Sequence, residues 1–192
     1  MKQKNFFKAS ARSHGGSLSV GKRRSTRPIH SKNPIHIVLR SDLAKGPRSL
    51  IKNSQLVRRI TLKASSRFKI QVFEKAICGN HLHLLIRGRS KTDVQNFFRV
   101  LAGHIAQEIL RLCPLTEKER GGALKQAGCL KNQRKFWAVL LFSRIVGWGR
   151  DFANVSSYVI QNTLEALKLI PYTERKKRAG KIGNPEPPSL PG

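Results

Sequence analysis

The order of hydrophobic periodicities along this chain predicts an α+β fold: a ferredoxin-like (RRM-like) antiparallel sheet with helices on one face and an extra helix near the C-terminal end. Three observations carry the prediction. Apolar residues alternate with polar ones around 35–41, 68–78 and 81–87, the two-residue period of strands. They recur at helical spacing over 49–67, 92–112 and 151–169. Glycine-rich punctuation at Gly46-Pro47, Gly79-Asn80 and Gly147-Trp148-Gly149 separates the runs.

Taken in order, residues 1–33 hold nine Lys or Arg and no acid, around the loop-like run Ser13-His14-Gly15-Gly16-Ser17, and read as a flexible basic arm. Ile35 to Ser41 alternates and stops at Gly46-Pro47, which marks a first strand. Leu50, Val57, Ile60 and Ala64 share a helical face between Lys and Arg, so 49–67 is expected to be a half-buried helix. The runs 68–78 and 81–87 flank Gly79-Asn80, the kind of pair that joins two strands through a primed turn. Thr92 with Gln95 forms a capping-box start, and Val94, Phe97, Leu101, Ile105 and Ile109 then stripe a second helix that ends before Pro114. Residues 115–135 are Lys- and Gly-rich and read as a basic loop. Phe136 to Val146 reads as another strand, and 151–169 as a helix closed by Pro171. The remainder, 173–192, is basic and then Pro-rich, with little to bury. One domain of 34–172 between an arm and a tail is the expected organisation.

Charge narrows the function. The 192 residues carry 38 Lys plus Arg against 10 Asp plus Glu, a net charge of +28, while 39% hydrophobic residues keep the chain globular. Residues 34–172 alone hold 24 basic and 8 acidic residues, so the fold itself is basic. Such a field suits a polyanion, with nucleic acid first, and disfavours cationic substrates. Few carboxylates remain for paired-acid chemistry. Cys78, Cys113 and Cys129 form no CxxC, which argues against a disulfide scaffold and for a reducing cytoplasm. The longest apolar stretch, 136–142, is too short for a bilayer, and no signal-peptide core follows Lys2 and Lys4, so a soluble, cytoplasmic protein without membrane contact is expected.

Two patterns could carry chemistry. His81-Leu82-His83 opens a strand, and side chains two apart on a strand share a face, so both imidazoles project together and could hold one cation. Alone, the pattern equally fits a polar strand end. Cys78 falls around the same turn and could add sulfur to the two nitrogens for zinc, although no fourth ligand is visible, and a small buried cysteine is the plainer reading. On the last helix Tyr158 and Asn162 lie one turn apart, with Gln161 close by. By themselves they describe a surface tyrosine on an amphipathic helix.

The set Pro34-Ile-His-Ile-Val-Leu-Arg40, Gly79-Asn-His-Leu-His-Leu-Leu-Ile86, Phe136-Trp137 with Phe142-Ser-Arg144, and Tyr158-Val-x-x-Asn-x-Leu-Glu165 resembles the single-tyrosine HUH transposases, especially the REP-associated branch, over residues 34–170. HUH denotes two histidines around a bulky hydrophobic residue, here Leu82. The resemblance implies an endonuclease that cuts hairpin-marked single-stranded DNA and rejoins it, in the bacterial cytoplasm, as a homodimer. It implies Mg²⁺ or Mn²⁺ on His81 and His83, with Asn162 as the amide ligand and Gln161 second. Tyr158 is implied as the nucleophile that forms a 5′-phosphotyrosine and frees a 3′-OH. Thr163 stands where the commoner REP-associated pattern has proline after the amide. Arg23, Arg24, Arg27, Arg134 and Lys135 are expected phosphate contacts, set against plain solvated charge. His36 either faces the site or packs in the sheet. The rival classes are a non-catalytic RRM-like single-stranded nucleic-acid binder, whose third strand would show aromatics rather than His-Leu-His-Leu-Leu-Ile, and a decayed, domesticated transposase.

Overall fold

In the computed structural model, which describes residues 12–16, 20, 26–116 and 135–172, the expected α+β architecture is present. The elements are β1 (Ser13–His14), β2 (Ile35–Arg40), α1 (Ser54–Arg67), β3 (Gln71–Ile77), β4 (His81–Arg87), α2 (Lys91–Leu112), β5 (Phe142–Ile145) and α3 (Arg150–Ala166). The strands form one sheet in the order β1-β5-β2-β4-β3, and every pairing is antiparallel.

Alternation on the two central strands divides the residues between two cores. Ile35, Ile37 and Leu39 of β2 and Leu82, Leu84 and Ile86 of β4 turn to one face, where they are buried with Val57 and Ile60 of α1 and Val94, Phe97, Leu101, Ile105 and Ile109 of α2. Truncating any of the fully buried leucines here costs about 2–5 kcal/mol, the lost transfer energy plus the cavity. The opposite face of β4 carries His81, His83 and Leu85. Leu85 joins Ala76, Cys78 and Val146 under Val155 and Val159 of α3. So α1 and α2 cover one face, and the tyrosine helix covers the other.

A bulge at Phe73 fits this second core. The register passes from Val72↔Ile86 to Glu74↔Leu85, and the Phe73 ring stands edge-on to Phe152 at 5.2 Å and to Trp148 at 5.8 Å. Glu74 then accepts from Ser156 Oγ at 3.0 Å, and Thr163 Oγ1 donates to the Lys75 carbonyl at 3.1 Å. Gly149, at φ 79°, precedes α3, and Asp151 in its first turn accepts from the Gly147 N–H at 2.9 Å and from Arg144 at 2.8 Å.

Several boundaries differ from the sequence reading. Helix α1 begins at Ser54 rather than 49, because Ser49 Oγ and the Leu50 N–H both donate to the Gly79 carbonyl, at 3.1 and 2.8 Å. Strand β3 begins at Gln71 because Lys69 is left-handed, at φ 52°. Helix α2 is capped by Ser90, whose side chain accepts from the Asp93 N–H, two residues before the Thr92–Gln95 pair. The hairpin is present, yet neither Gly79 nor Asn80 has positive φ, so its turn is not primed; the 41–50 segment binds the carbonyls of both turn residues, including Ser41 N–H to Asn80 O at 2.8 Å. The expected strand 136–146 shrinks to β5. Ahead of it Phe136–Leu140 bends, fastened by the Ala138 N–H to Arg40 O at 2.9 Å and the Trp137 indole to Ala102 O at 2.9 Å.

The arm is corrected as well. Ser13 and His14 pair with Arg144 and Ser143 as an edge strand. Gly15, at φ 83°, lets the chain pass so close that a Cβ there would lie 2.0 Å from the Leu141 carbonyl oxygen. Part of the basic arm is therefore woven into the sheet. The loop residues 117–134 and the tail 173–192 lie outside the described residues.

Candidate active site

Register brings three imidazoles, of His36, His81 and His83, to the α3 face of the sheet. His36↔Leu85, Val38↔His83 and Arg40↔His81 are opposed across β2 and β4, so His36 and His83 stand on a diagonal of one face. His36 Nε2 and His83 Nδ1 are 3.2 Å apart, with the rings stacked at 5.4 Å. The His81 ring is edge-on to His83 at 4.8 Å. Tyr158 reaches over from α3, edge-on to His83 at 5.5 Å and to His36 at 5.9 Å.

Neighbours orient the rings. His81 Nδ1 lies 2.8 Å from Asn80 Oδ1. An amide oxygen only accepts, so Nδ1 carries the proton and Nε2 the lone pair. His83 is 4% exposed and His36 7% exposed. Burial first, and the charge of Arg144 second, hold the His36 imidazole down to about 4, so it is neutral at pH 7. One proton lies between His36 Nε2 and His83 Nδ1, carried by either ring, and the contact fixes the orientation of the His83 ring. Both histidines of the pair are thus oriented by a second group, as ligating histidines generally are.

Cys78 completes a cluster with them: one ligand atom each of Cys78, His81 and His83 lie within 4.8 Å of one another. The cause is local. Cys78 N–H donates to His81 O at 2.9 Å, which makes the two a cross-strand pair at the end of the hairpin, on the side that Ala76 and His83 also share. Cys78 Sγ contacts the Asn162 carbonyl at 3.9 Å.

Among the sequence-predicted residues, the structure brings His81, His83 and Tyr158 together. Asn162 is 3% exposed, next to Cys78, and its amide nitrogen donates to the Tyr158 carbonyl at 2.6 Å. Gln161 instead donates to Glu165 at 2.9 Å along the helix. Lys135 is exposed. Arg23, Arg24 and Arg134 lie outside the described residues. Arg27, expected on phosphate, has its guanidinium engaged by the fold: it donates to Ser143 Oγ and to Leu141 O at 2.8 Å, lies 5.5 Å from the Phe98 ring centroid, and is lowered in pKa by burial. Phe98 belongs to the core under α1 and α2, on the far side of the sheet from Tyr158.

A cleft of about 470 Å³ opens beside the tyrosine, and Val38, Arg40, Asp42, His83, Phe142 and Tyr158 are among its walls. Arg40, Asp42 and Asn80 were not singled out from the sequence. Arg40 was legible as the residue two places beyond Val38 on the same face, and Asn80 as the neighbour of His81; Asp42 left no signal.

In class, the chain is a transposase. The family model described as "Transposase IS200 like" matches residues 31–162, more than half of the chain, and the chain belongs to the IS200-like transposase family. Its fold is similar to a solved REP-associated tyrosine transposase bound to a REP hairpin, at a TM-score of 0.52 and 12% identity over 75% of this chain and 74% of that one. A crystal structure from Deinococcus radiodurans R1, described as a candidate transposase, aligns at a TM-score of 0.42 and 11% identity over 73% of this chain and 98% of that one. No curated protein matches the chain. Among the described residues no helix is long and apolar enough to cross a membrane.

Proposed function

We propose that this transposase cuts and rejoins hairpin-marked single-stranded DNA with Tyr158 as the nucleophile. The observation that carries the reading is the meeting of a phenol with paired imidazoles at one cleft, 5.5 Å between the rings of Tyr158 and His83, on a strongly basic domain. The neighbour bound to a REP hairpin supports DNA of that kind as the substrate.

The tyrosine Oη attacks the scissile phosphorus, an O–P bond to tyrosine forms, and the P–O3′ bond breaks. The phenolic proton is lost from Oη and the departing 3′-oxygen gains one, which leaves a 5′-phosphotyrosine and a 3′-OH. Rejoining reverses the step: a 3′-OH attacks the phosphotyrosine and Tyr158 is released. The covalent link conserves the phosphodiester, so no nucleotide cofactor is consumed.

The donor set at the histidine pair fits a divalent cation, because the two imidazoles share one face of β4 and each is oriented by a neighbour, His81 by Asn80 and His83 by His36. His81 and His83 would hold Mn²⁺ or Mg²⁺, with Asn162 as the amide candidate and Gln161 second, and the ion would polarise the scissile phosphate. Imidazole favours Mn²⁺ over Mg²⁺. Arg40 on the cleft wall is suited to a phosphate oxygen. The α3 helix keeps Tyr158 at the cleft through Val155 and Val159, which anchor its other turns in the small core.

A base-stacking binder of the RRM kind needs an open sheet face with aromatics. Here α3 lies over part of that face, and histidines occupy the central strands. The test is to mix the protein with single-stranded hairpin oligonucleotides and Mn²⁺ and to follow protein–DNA adducts on denaturing gels. Adduct that disappears with chelator and in His81→Ala or His83→Ala, with hairpin affinity nearly kept, is expected. Binding without adduct or cleavage under any metal would overturn the reading.

A further inference from the structure

We propose that Cys78 is a third metal ligand, so that the site takes zinc-class divalent ions through one thiolate and two imidazoles. This rests on the metal-binding part of the functional reading and goes beyond it, since that reading uses only nitrogen and oxygen donors.

The hairpin builds the N₂S set from its backbone. Ile77↔Leu82 is the last registered pair of β3 and β4, and Cys78 opposite His81 extends it by one. Residues directly opposed on a hairpin have Cβ atoms about 4.5–5.5 Å apart and point to the same face. His83 lies two places along that face. Three donor side chains therefore converge without any contribution from another element, and their ligand atoms lie within 4.8 Å of one another. Zn–S near 2.3 Å and Zn–N near 2.0–2.1 Å put ligand atoms of a tetrahedral site roughly 3.3–3.6 Å apart, a closing of about 1 Å that side-chain rotation supplies.

The sulfur sits in a dry pocket, where its thiol contacts the Asn162 carbonyl and only a bound cation would favour the thiolate. Cys78 is 7% exposed and packed with Leu85, Val155 and Val159, which excludes bulk water from the sulfur side. Asn80 and His36 orient the two imidazoles. Thiolate and imidazole together select borderline and soft ions over Mg²⁺. Three protein ligands with one position left for oxygen is the usual composition of a catalytic zinc centre. On binding, the thiol sheds its proton to solvent.

The test uses the full chain carrying Cys113→Ser and Cys129→Ser, so that Cys78 is the one thiol. Addition of Co²⁺ to this reduced, metal-stripped protein is expected to give a near-ultraviolet thiolate-to-cobalt absorption band that one equivalent of Zn²⁺ removes. Cys78→Ser on the same background should lose the band and weaken Zn²⁺ binding by at least about tenfold, a loss that even outer-shell partners can cause. Cobalt that binds with visible absorption dependent on His81 and His83 but shows no thiolate band would overturn the proposal, without any reference to the Cys78 variant's folding. Adduct formation is measured on the same double-serine protein. Adduct without the band refutes the cysteine ligand and keeps the tyrosine chemistry, whereas the band without adduct supports the ligand and refutes that chemistry.

Discussion

Replacing Arg27 by lysine keeps a positive charge and removes the planar fork, which separates a packing role from a grip on DNA. The guanidinium donates to Ser143 Oγ and to Leu141 O and lies over Phe98. Ser143 is 1% exposed, so losing its partner leaves a buried hydroxyl to be satisfied from elsewhere. Each hydrogen bond from a charged donor is worth about 1.5–3 kcal/mol, and the ring contact adds roughly 0.5–1 kcal/mol. Such terms overlap, so Arg27→Ala is expected to cost about 3 kcal/mol. An ammonium cannot span both acceptors and stack, so Arg27→Lys should recover less than half of that. Urea unfolding of the three proteins measures the loss, and the salt dependence of hairpin affinity tests the alternative. A phosphate contact to single-stranded DNA contributes about 0.7 to the slope of log affinity against log salt. Wild-type stability in Arg27→Lys, together with a slope reduced by that amount in Arg27→Ala, would refute the packing role.

Three other outcomes follow from the same geometry. Burial works to raise the Asp151 carboxyl, but the Gly147 N–H and the Arg144 guanidinium outweigh it, and its pKa falls below 3.8; the stability it confers is complete above that unfolded value and is lost as pH drops through the folded one. The gap in urea midpoint between wild type and Asp151→Asn should therefore hold from pH 7 to 5 and shrink below about pH 4, and a gap that widens in acid contradicts the sign. His36→Leu should weaken Mn²⁺ binding about 10–100-fold by releasing the His83 ring, while His36→Gln, whose amide oxygen can accept, should recover part of it; calorimetric titration of the metal decides, and equal affinities for all three proteins count against the role. Gly15→Ala forces a side chain into a left-handed residue against Leu141 O, so a loss of about 1–3 kcal/mol is expected, and an unchanged melt would mean that β1 is not held to β5.

Local pattern was enough for the framework. Alternation on Ile35–Arg40 and His81–Arg87 assigned both faces of the central strands, and the stripe from Val94 to Ile109 assigned the buried side of α2, because each depends on side chains a few places apart. The His81, His83 and Tyr158 set was legible through spacing and family resemblance together. What escaped depends on pairing between distant segments. Ser13 and His14 become a strand only because β5 offers an edge, and Arg27 leaves the basic surface only because Ser143, Leu141 and Phe98 receive it. The bend at 136–140 follows from anchors on Arg40 and Ala102. Cys78 was legible as a neighbour of His81 and His83 around one turn, and what the sequence left open, a buried core cysteine or a ligand, depends on the cross-strand pairing that sets it opposite His81. Composition holds none of this, since an arginine in a pin and an arginine on a phosphate read alike.

The central claim is that Tyr158, beside His83 in the cleft, is the residue that takes the DNA. Tyr172, the other tyrosine, is 71% exposed and lies beyond α3. Wild-type protein trapped with a hairpin oligonucleotide and Mn²⁺, digested and mapped by mass spectrometry, should carry the nucleotide remnant on the Tyr158 peptide. Tyr158→Phe should form no adduct while melting within about 1 kcal/mol of wild type, and Tyr172→Phe should label normally. A remnant on Tyr172, or adduct formed by Tyr158→Phe at the wild-type rate, would contradict the account.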